Sequence, residues 1–120
     1  MMKLFKSEDE HFFLQWDGVD SHLLPLQLIK VEDHSGDEEK HLPMIEKKNH
    51  MIKVKIGSIM HPMTSEHHIS MIYLKTKQGG QLKILSGLQT PIVYFALWEN
   101  DEPLEVYGYC NLHGLWKELI

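Results

Sequence analysis

The sequence predicts an all-β fold, an antiparallel β-sandwich with a small N-terminal extension, on three observations. Residues 51–59 alternate between apolar and polar side chains with a period of two, as a half-buried strand does. Other short apolar runs follow, and polar turn sequences at residues 78–81 and 99–103 separate them. No long segment has the periodicity of an amphipathic helix. Short strands joined by turns are typical of antiparallel sandwiches.

The remaining predicted strands are short runs that are rich in apolar, β-branched and aromatic residues. We expect them, in chain order, at residues 12–16, 23–31, 68–74, 82–85, 92–98 and 104–109. Pro91 directly precedes the strongly apolar run at 92–98, and proline is compatible with the start of a strand. The run at 104–109 is expected to be the last strand, and it ends at Cys110.

The N-terminal part of the chain is expected to be separate from the sandwich. Residues 32–39 form an acidic stretch, which is more typical of a solvated linker than of a cation site. We therefore place a domain boundary near Gly36, with an extension at residues 1–36 and the main domain at residues 37–120.

Composition excludes several classes of protein. The chain has 120 residues, 42% hydrophobic and 24% charged, as in an ordinary single globular domain. A net charge of −5 argues against a nucleic-acid partner, which would require a basic face. The N-terminus lacks the apolar core of a signal peptide, and no run approaches the roughly 20 apolar residues that span a bilayer. A lone cysteine, Cys110, fits a reducing compartment. We expect a cytoplasmic protein that does not contact membranes.

Histidines stand out, since the chain has nine, and imidazole is the commonest metal ligand in proteins. Cys110 and His113 lie three residues apart before a glycine, in a spacing that suits a tight loop. His61 and His67 flank another candidate loop, and His41 precedes Leu42-Pro43. Each pattern alone is more often ordinary core or surface. Their coincidence with a single cysteine in one small domain predicts a metal site.

These segments resemble the superoxide reductase family, which comprises neelaredoxins and the iron-binding domain of desulfoferrodoxins. The resemblance covers residues 37–120 and rests on three motifs in the family's order and spacing. They are Glu39-Lys40-His41-Leu42-Pro43, His61-Pro62-Met63 with Glu66-His67-His68-Ile69, and Tyr109-Cys110-Asn111-Leu112-His113-Gly114-Leu115-Trp116-Lys117.

The resemblance implies an immunoglobulin-like sandwich of seven strands and one mononuclear iron that reduces superoxide to hydrogen peroxide. It implies four equatorial imidazoles and one axial thiolate as the iron ligands: His41, His61, His67, His113 and Cys110. The family motif selects His67 as the ligand over the adjacent His68. Glu39 matches a carboxylate that caps the sixth iron position in the oxidised state. Lys40 matches a lysine that attracts the anionic substrate and helps to protonate the bound peroxide.

The family also implies partners and a second module. One electron is consumed per superoxide, so a donor such as rubredoxin is expected. A homodimer is expected, with a homotetramer as the alternative. Two-iron members carry a desulforedoxin-like N-terminal module with four cysteines. Residues 1–36 contain none and look like a remnant of it. Asp9, His11, His22 and His34 match no metal-binding pattern, so one iron per chain is expected.

Two other functions stay open at the level of sequence. The same ligands could hold iron or zinc in a non-catalytic or electron-transfer module. Alternatively, the chain could be an immunoglobulin-like interaction domain that has lost its site. Leu115 and Trp116 could form an apolar contact for a partner, although core positions are the commoner role for such residues.

Overall fold

A computed structural model describes residues 3–9, 11–15, 26–32, 36–86 and 89–120 of the chain. It divides into two compact units, Met1–Lys30 and Val31–Ile120. The division falls six residues before the boundary that we predicted near Gly36. The interpretation of residues 1–36 as a remnant module stays a prediction.

The first unit is a three-stranded antiparallel sheet. Its strands are β1 (Lys3–Ser7), β2 (Phe12–Gln15) and β3 (Leu26–Ile29), in the order β2-β1-β3. Strands β2 and β3 fall within predicted runs, whose residues 16 and 23–25 lie outside the described part of the chain. Strand β1 was not predicted, because Leu4 and Phe5 are adjacent apolar residues and break the alternation of a half-buried strand.

The second unit is a seven-stranded antiparallel sandwich, as the sequence predicted. It begins with one helical turn, α1 (Glu38–His41). Its strands are β4 (Pro43–Lys48), β5 (Met51–Ile56), β6 (Ile69–Thr76), β7 (Gly79–Ile84), β8 (Ile92–Ala96), β9 (Pro103–Cys110) and β10 (Gly114–Leu119). One sheet has four strands in the order β10-β9-β6-β7, and the other has three in the order β4-β5-β8.

The core lies between the two sheets because each contributes alternate side chains to one buried cluster. Strand β5 supplies Ile52, Val54 and Ile56, all fully buried. From the other sheet, β6 supplies Ile72 and Leu74. Full burial of such a side chain contributes about 1.5–3 kcal/mol. The apolar side chains of the period-two pattern at residues 52–56 are therefore those on the buried face of β5.

Replacing Ile72 with alanine should lower the free energy of unfolding by about 2–5 kcal/mol, because the change opens a cavity in the core. The matched control is Ile84→Ala on the neighbouring strand, where the side chain is 71% exposed. We expect the control to stay within about 0.5 kcal/mol of the parent. Urea unfolding of both variants measures the difference. An equal loss of unfolding free energy in the two variants would contradict the placement of Ile72 in the core between the sheets.

Several predicted boundaries were wrong. The run at 104–109 is not the last strand, since β10 follows it; Leu115 and Trp116 are adjacent and both buried, so β10 shows no alternation. Strand β4 was also missed. Residues 57–59 form a turn instead of extending β5, because Gly57 has a φ of +88°. The acidic stretch expected as a linker ends in the helical turn α1.

Within the described residues, no helix has the length and apolar character that crossing a bilayer would require.

Candidate metal centre

Three separate segments of the second unit bring the metal-binding residue types to one place. His41 ends the helical turn α1, and Leu42 separates it from β4. His61 and His67 lie in the connection between β5 and β6. Cys110 is the last residue of β9, and His113 lies in the turn that leads into β10. Residues far apart in sequence therefore meet because the sandwich places these connections side by side.

The ligand atoms of four side chains converge. One atom each from His41, His61, His67 and Cys110 lies within 4.8 Å of the others. His41, His61 and Cys110 are buried, and His67 is partly buried. Soft thiolate and imidazole donors suit iron, copper or zinc better than magnesium or calcium. The group is thus a candidate site for a transition metal.

The four predicted imidazoles form a closed ring of edge-to-face contacts. Ring centroids are 4.9 Å apart for His41–His61, 4.7 Å for His61–His67, 5.0 Å for His67–His113 and 5.0 Å for His113–His41. Angles between neighbouring ring planes run from 63° to 79°. Four rings thus surround a common centre, like the sides of a square.

The His113 ring takes part in the ring of imidazole contacts, but it is not one of the four side chains whose ligand atoms lie within 4.8 Å of one another. Its Nδ1 atom is 3.7 Å from the Cys110 sulfur, and its backbone N–H donates to that sulfur at 3.4 Å. Its side chain is exposed, unlike that of His41 or His61. A role for His113 as the fourth imidazole ligand stays a prediction.

Hydrogen bonds fix which nitrogen of the buried imidazoles is free. A carbonyl oxygen can only accept, so Nδ1–H of His41 donates to Asp37 at 2.8 Å, and Nδ1–H of His61 donates to Pro62 at 2.7 Å. Each of these rings keeps its lone pair on Nε2. The Nε2 atoms of His41, His61 and His67 are buried and have no hydrogen-bond partner among the residues that the structure describes.

A metal ion would satisfy these atoms. A buried polar atom without a partner costs about 1–3 kcal/mol, and such atoms are rare in folded proteins. Three such atoms at one place, next to a buried sulfur, are explained by a bound cation. The residues therefore fit the mononuclear iron that the sequence predicted.

Burial keeps the imidazoles in the neutral form that binds metals. It lowers the pKa of His61 to about 4, against an opposing hydrogen bond to Pro62. Burial likewise lowers the pKa of His41 and of His67. Because Nδ1–H donates in His41 and His61, the neutral forms of these two rings carry no proton on Nε2, so a metal ion need not displace one there.

The sulfur of Cys110 is shielded from water and receives backbone donors. Burial raises the pKa of the thiol, while the backbone amides of Leu112 and His113 lower it. Such amides reduce the electron density on a thiolate and tune a metal that it binds. The tight loop that was predicted after Cys110 therefore contributes donors to the sulfur.

Trp116 supports two of the candidate ligands. Its ring stacks on His41 with centroids 4.7 Å apart and planes 11° apart. Its indole N–H donates to the backbone carbonyl of His113 at 3.0 Å. Leu115 and Trp116 are both buried, as expected for core residues. Sequence patterns missed this support, since it depends on a ring stack and a backbone acceptor.

Glu39 and Lys40 are exposed on the turn α1, beside His41. Burial is the main cause of the lowered pKa of both His41 and His67, neighbouring histidines add to it, and the charge of Lys40 makes a smaller contribution in the same direction. The carboxylate of Glu39 is not part of the converging group. Its role as a sixth ligand stays a prediction.

The other histidines considered from the sequence lie elsewhere. Nδ1–H of His68 donates to the Thr64 carbonyl at 2.9 Å, and His68 is not part of the converging group. His11 pairs with Asp9 at 3.0 Å on the exposed hairpin of the first unit. His22 and His34 lie outside the described residues.

The connection after β5 holds the turn α1 in place. The Glu39 carbonyl accepts from the Ile59 N–H at 3.0 Å and from the Ser58 hydroxyl at 3.2 Å. The Gly57 N–H donates to the Leu42 carbonyl at 3.0 Å. Gly57 makes this close approach possible, since it has positive φ and no side chain.

Gly57→Ala should therefore displace α1 and destabilise the fold. An added Cβ would overlap the Ile59 carbonyl oxygen and lie 2.8 Å from that of Lys40 and 3.0 Å from that of Glu39. The left-handed conformation alone costs a non-glycine residue about 1–2 kcal/mol. Thermal unfolding and iron uptake should both be impaired. Gly36→Ala is the control, because no atom of the described part of the chain lies within 4 Å of its Cβ position. Equal thermal unfolding and iron uptake in the two variants would contradict the close contact at Gly57.

Known proteins resemble this chain over most of its length. The desulfoferrodoxin family profile matches residues 33–119. A desulfoferrodoxin from Syntrophotalea carbinolica is 41% identical over 93 residues, which cover 78% of this chain and 72% of that protein. A superoxide reductase from Pyrococcus horikoshii is 37% identical over 109 residues, which cover 75% of this chain and 95% of that protein.

Solved structures of superoxide reductases are similar to this chain in both fold and sequence. The superoxide reductase from Treponema pallidum matches with a TM-score of 0.84 and 41% identity, and the match covers 98% of both chains. The superoxide reductase from Giardia intestinalis matches with a TM-score of 0.59 and 29% identity, over 68% of this chain and 97% of that one. The resemblance inferred from the three motifs is thus confirmed, and the chain belongs to the superoxide reductase family that the desulfoferrodoxin profile describes.

Proposed function

We propose that this protein is a superoxide reductase, which converts superoxide, one electron and two protons into hydrogen peroxide at one mononuclear non-haem iron. The observation that carries the proposal is the convergence of three unpartnered Nε2 atoms and the Cys110 sulfur within a family of this activity. We assign His41, His61, His67, His113 and Cys110 as the iron ligands. When bound, iron supplies the electron that superoxide accepts.

The donor set supports this reaction. Four neutral imidazoles and one thiolate leave a ferrous centre with a formal charge of about +1, which favours the approach of an anion. If these five residues hold the iron, they would leave room for a small oxygen species to bind it. A thiolate donates electron density to iron, as it does in thiolate-bound haem proteins. The residues thus provide attraction, an open position and electron donation together.

Lys40 is assigned to steering and proton supply. Lys40 is exposed on the turn next to His41, and its positive charge contributes, after burial and the neighbouring histidines, to the lowered pKa of His67. A fixed positive charge near a site accelerates association with an anion by about ten- to a thousandfold at low salt. Glu39, its exposed neighbour, is assigned to capping the oxidised centre, since a carboxylate is a hard oxygen ligand.

Lys40→Ala should lower the second-order rate constant for superoxide by about tenfold at low ionic strength. The difference from the parent should shrink as salt is added, because salt screens the lost attraction. Pulse radiolysis of the reduced iron protein measures both effects. Lys48→Ala, at the far end of β4, is the control and should leave the rate unchanged. A rate for Lys40→Ala equal to the control would contradict the steering role.

We further propose a donor such as rubredoxin, a homodimer with a homotetramer as the alternative, and location in the cytoplasm. A donor is required because each superoxide consumes one electron. A reducing compartment would keep the lone thiol of Cys110 available as a ligand. We also propose that residues 1–36 are a cysteine-free remnant of a desulforedoxin-like module, with residues 37–120 as the iron-binding domain.

The test is to add superoxide to the reduced iron protein and to measure iron oxidation, hydrogen peroxide and dioxygen. We expect fast oxidation and one peroxide per superoxide, without dioxygen. Dioxygen release in equal amounts would indicate dismutation instead of reduction. A colourless zinc protein that leaves superoxide intact would support the alternative of a non-catalytic module.

A further inference from the structure

We infer that Asn111 is a positioning residue that holds the His67 imidazole in register with the Cys110 sulfur. The inference rests on the proposed function, since it concerns the iron centre assigned there. Asn111 follows Cys110 directly and has an exposed side chain. Its side chain reaches residues 66 and 68 on the other loop, over sequence separations of 45 and 43 residues.

The side-chain amide of Asn111 binds both peptide groups that flank His67. Its Nδ2 donates to the Glu66 carbonyl at 2.9 Å. Its Oδ1 accepts from the His68 N–H at 2.8 Å. The Glu66 carbonyl belongs to the peptide before His67, and the His68 N–H belongs to the peptide after it. One planar amide therefore fixes both sides of a candidate ligand.

The backbone of Asn111 adds a third bond to the same loop. Pairing between β6 and β9 brings Ile69 opposite Cys110. Beyond that pair, the Asn111 N–H donates to the His68 carbonyl at 3.1 Å. The two hydrogen bonds of the Asn111 side-chain amide extend this β6–β9 pairing by one step, as the bonds of a backbone peptide group would. The loop that carries His67 is thus attached to the strand end that carries Cys110.

Thr64 has a different role in the same loop. Its hydroxyl accepts from the His67 N–H at 3.0 Å, and its own N–H donates to the His67 carbonyl at 2.9 Å. These bonds stay within three residues and set the internal shape of the loop. The bonds of Asn111 set its position relative to the sulfur, which determines whether both ligands reach one ion.

Asparagine is the residue type that this arrangement requires. Only a side-chain amide offers a donor and an acceptor on one short planar group. Aspartate has the same shape, but it lacks the donor and would face the Glu66 carbonyl with a negative oxygen. Groups that orient metal ligands typically change metal affinity by 10–100-fold when they are removed.

The experiment compares Asn111→Asp and Asn111→Ala with the parent, using Asn100→Ala on another exposed turn as the control. In the metal-free full chain, NMR contacts between His67 and Cys110 should weaken in both Asn111 variants. In the iron-loaded chain, a chelator should remove iron about 10–100-fold faster, and the thiolate-to-iron(III) absorption band should shift. Asn100→Ala should match the parent within about twofold.

Unchanged His67–Cys110 contacts, or an iron release rate within about twofold of the control together with an unshifted absorption band, would overturn the role of Asn111. None of the three readouts uses superoxide. Failure of this inference is therefore distinct from failure of the proposed activity, which would show as a reduced parent protein that does not react with superoxide.

Discussion

Replacing Cys110 with serine should remove the thiolate-to-iron(III) absorption band and lower the rate of superoxide reduction by at least about a hundredfold. Among the described residues, Cys110 supplies the only thiol, and the structure brings its sulfur to the three unpartnered imidazole nitrogens. Groups that merely orient metal ligands already account for 10–100-fold effects on affinity or activity, so loss of a ligand should exceed them. The effect is large because no other cysteine exists to replace it.

The fold itself should tolerate Cys110→Ser. The side chain is fully buried, and the serine hydroxyl is smaller than the thiol and more polar, so a destabilisation of about 1–3 kcal/mol is expected. Circular dichroism and thermal unfolding of the metal-free variant test this separately. Cys110→Ala provides a second variant without a hydroxyl. Persistence of the absorption band in either variant would exclude Cys110 as the iron ligand.

His61→Leu should abolish stable iron binding while leaving the metal-free protein about as stable as the parent. His61 is 2% exposed, and its Nε2 lacks a partner. Replacing such an atom with an apolar group of similar size removes a desolvation cost, although the Pro62 carbonyl then loses its donor. The two effects oppose each other, so the free energy of unfolding without metal should change by less than about 1 kcal/mol.

Added iron should stabilise the parent against urea and should leave His61→Leu unchanged, because only a ligand that binds the folded state raises its stability. Iron analysis after gel filtration measures the loss of binding directly. His50→Leu, on the exposed hairpin between β4 and β5, is the control and should retain one iron per chain. Full iron occupancy with an unchanged spectrum in His61→Leu would remove His61 from the ligand set.

Some of the fold is visible in the sequence because burial leaves a periodic pattern. Strand β5 was predicted because only alternate residues face the core. Strand β10 was missed because Leu115 and Trp116 are both buried, which hides the period. The helical turn α1 was missed because four residues are too few to show helical periodicity.

The candidate metal centre likewise has a part that could be predicted from the sequence and a part that could not. Residue types and spacing indicated a metal site, and the family resemblance implied His41, His61, His67, His113 and Cys110 as its ligands. The groups that orient them could not be predicted, because their partners are mostly backbone atoms. The Asp37 carbonyl that fixes the tautomer of His41 leaves no trace in residue type. The carbonyl and N–H groups that Asn111 binds depend equally on where the loops fold.

The most direct test of the account is X-ray absorption at the iron edge of the iron-loaded protein in its reduced state. If His41, His61, His67, His113 and Cys110 all bind one ion as proposed, the iron should have one sulfur and four imidazole nitrogens as neighbours, with one position left for a small molecule. An iron without a sulfur neighbour, or one bound only by oxygen and nitrogen in a closed shell of six, would contradict it.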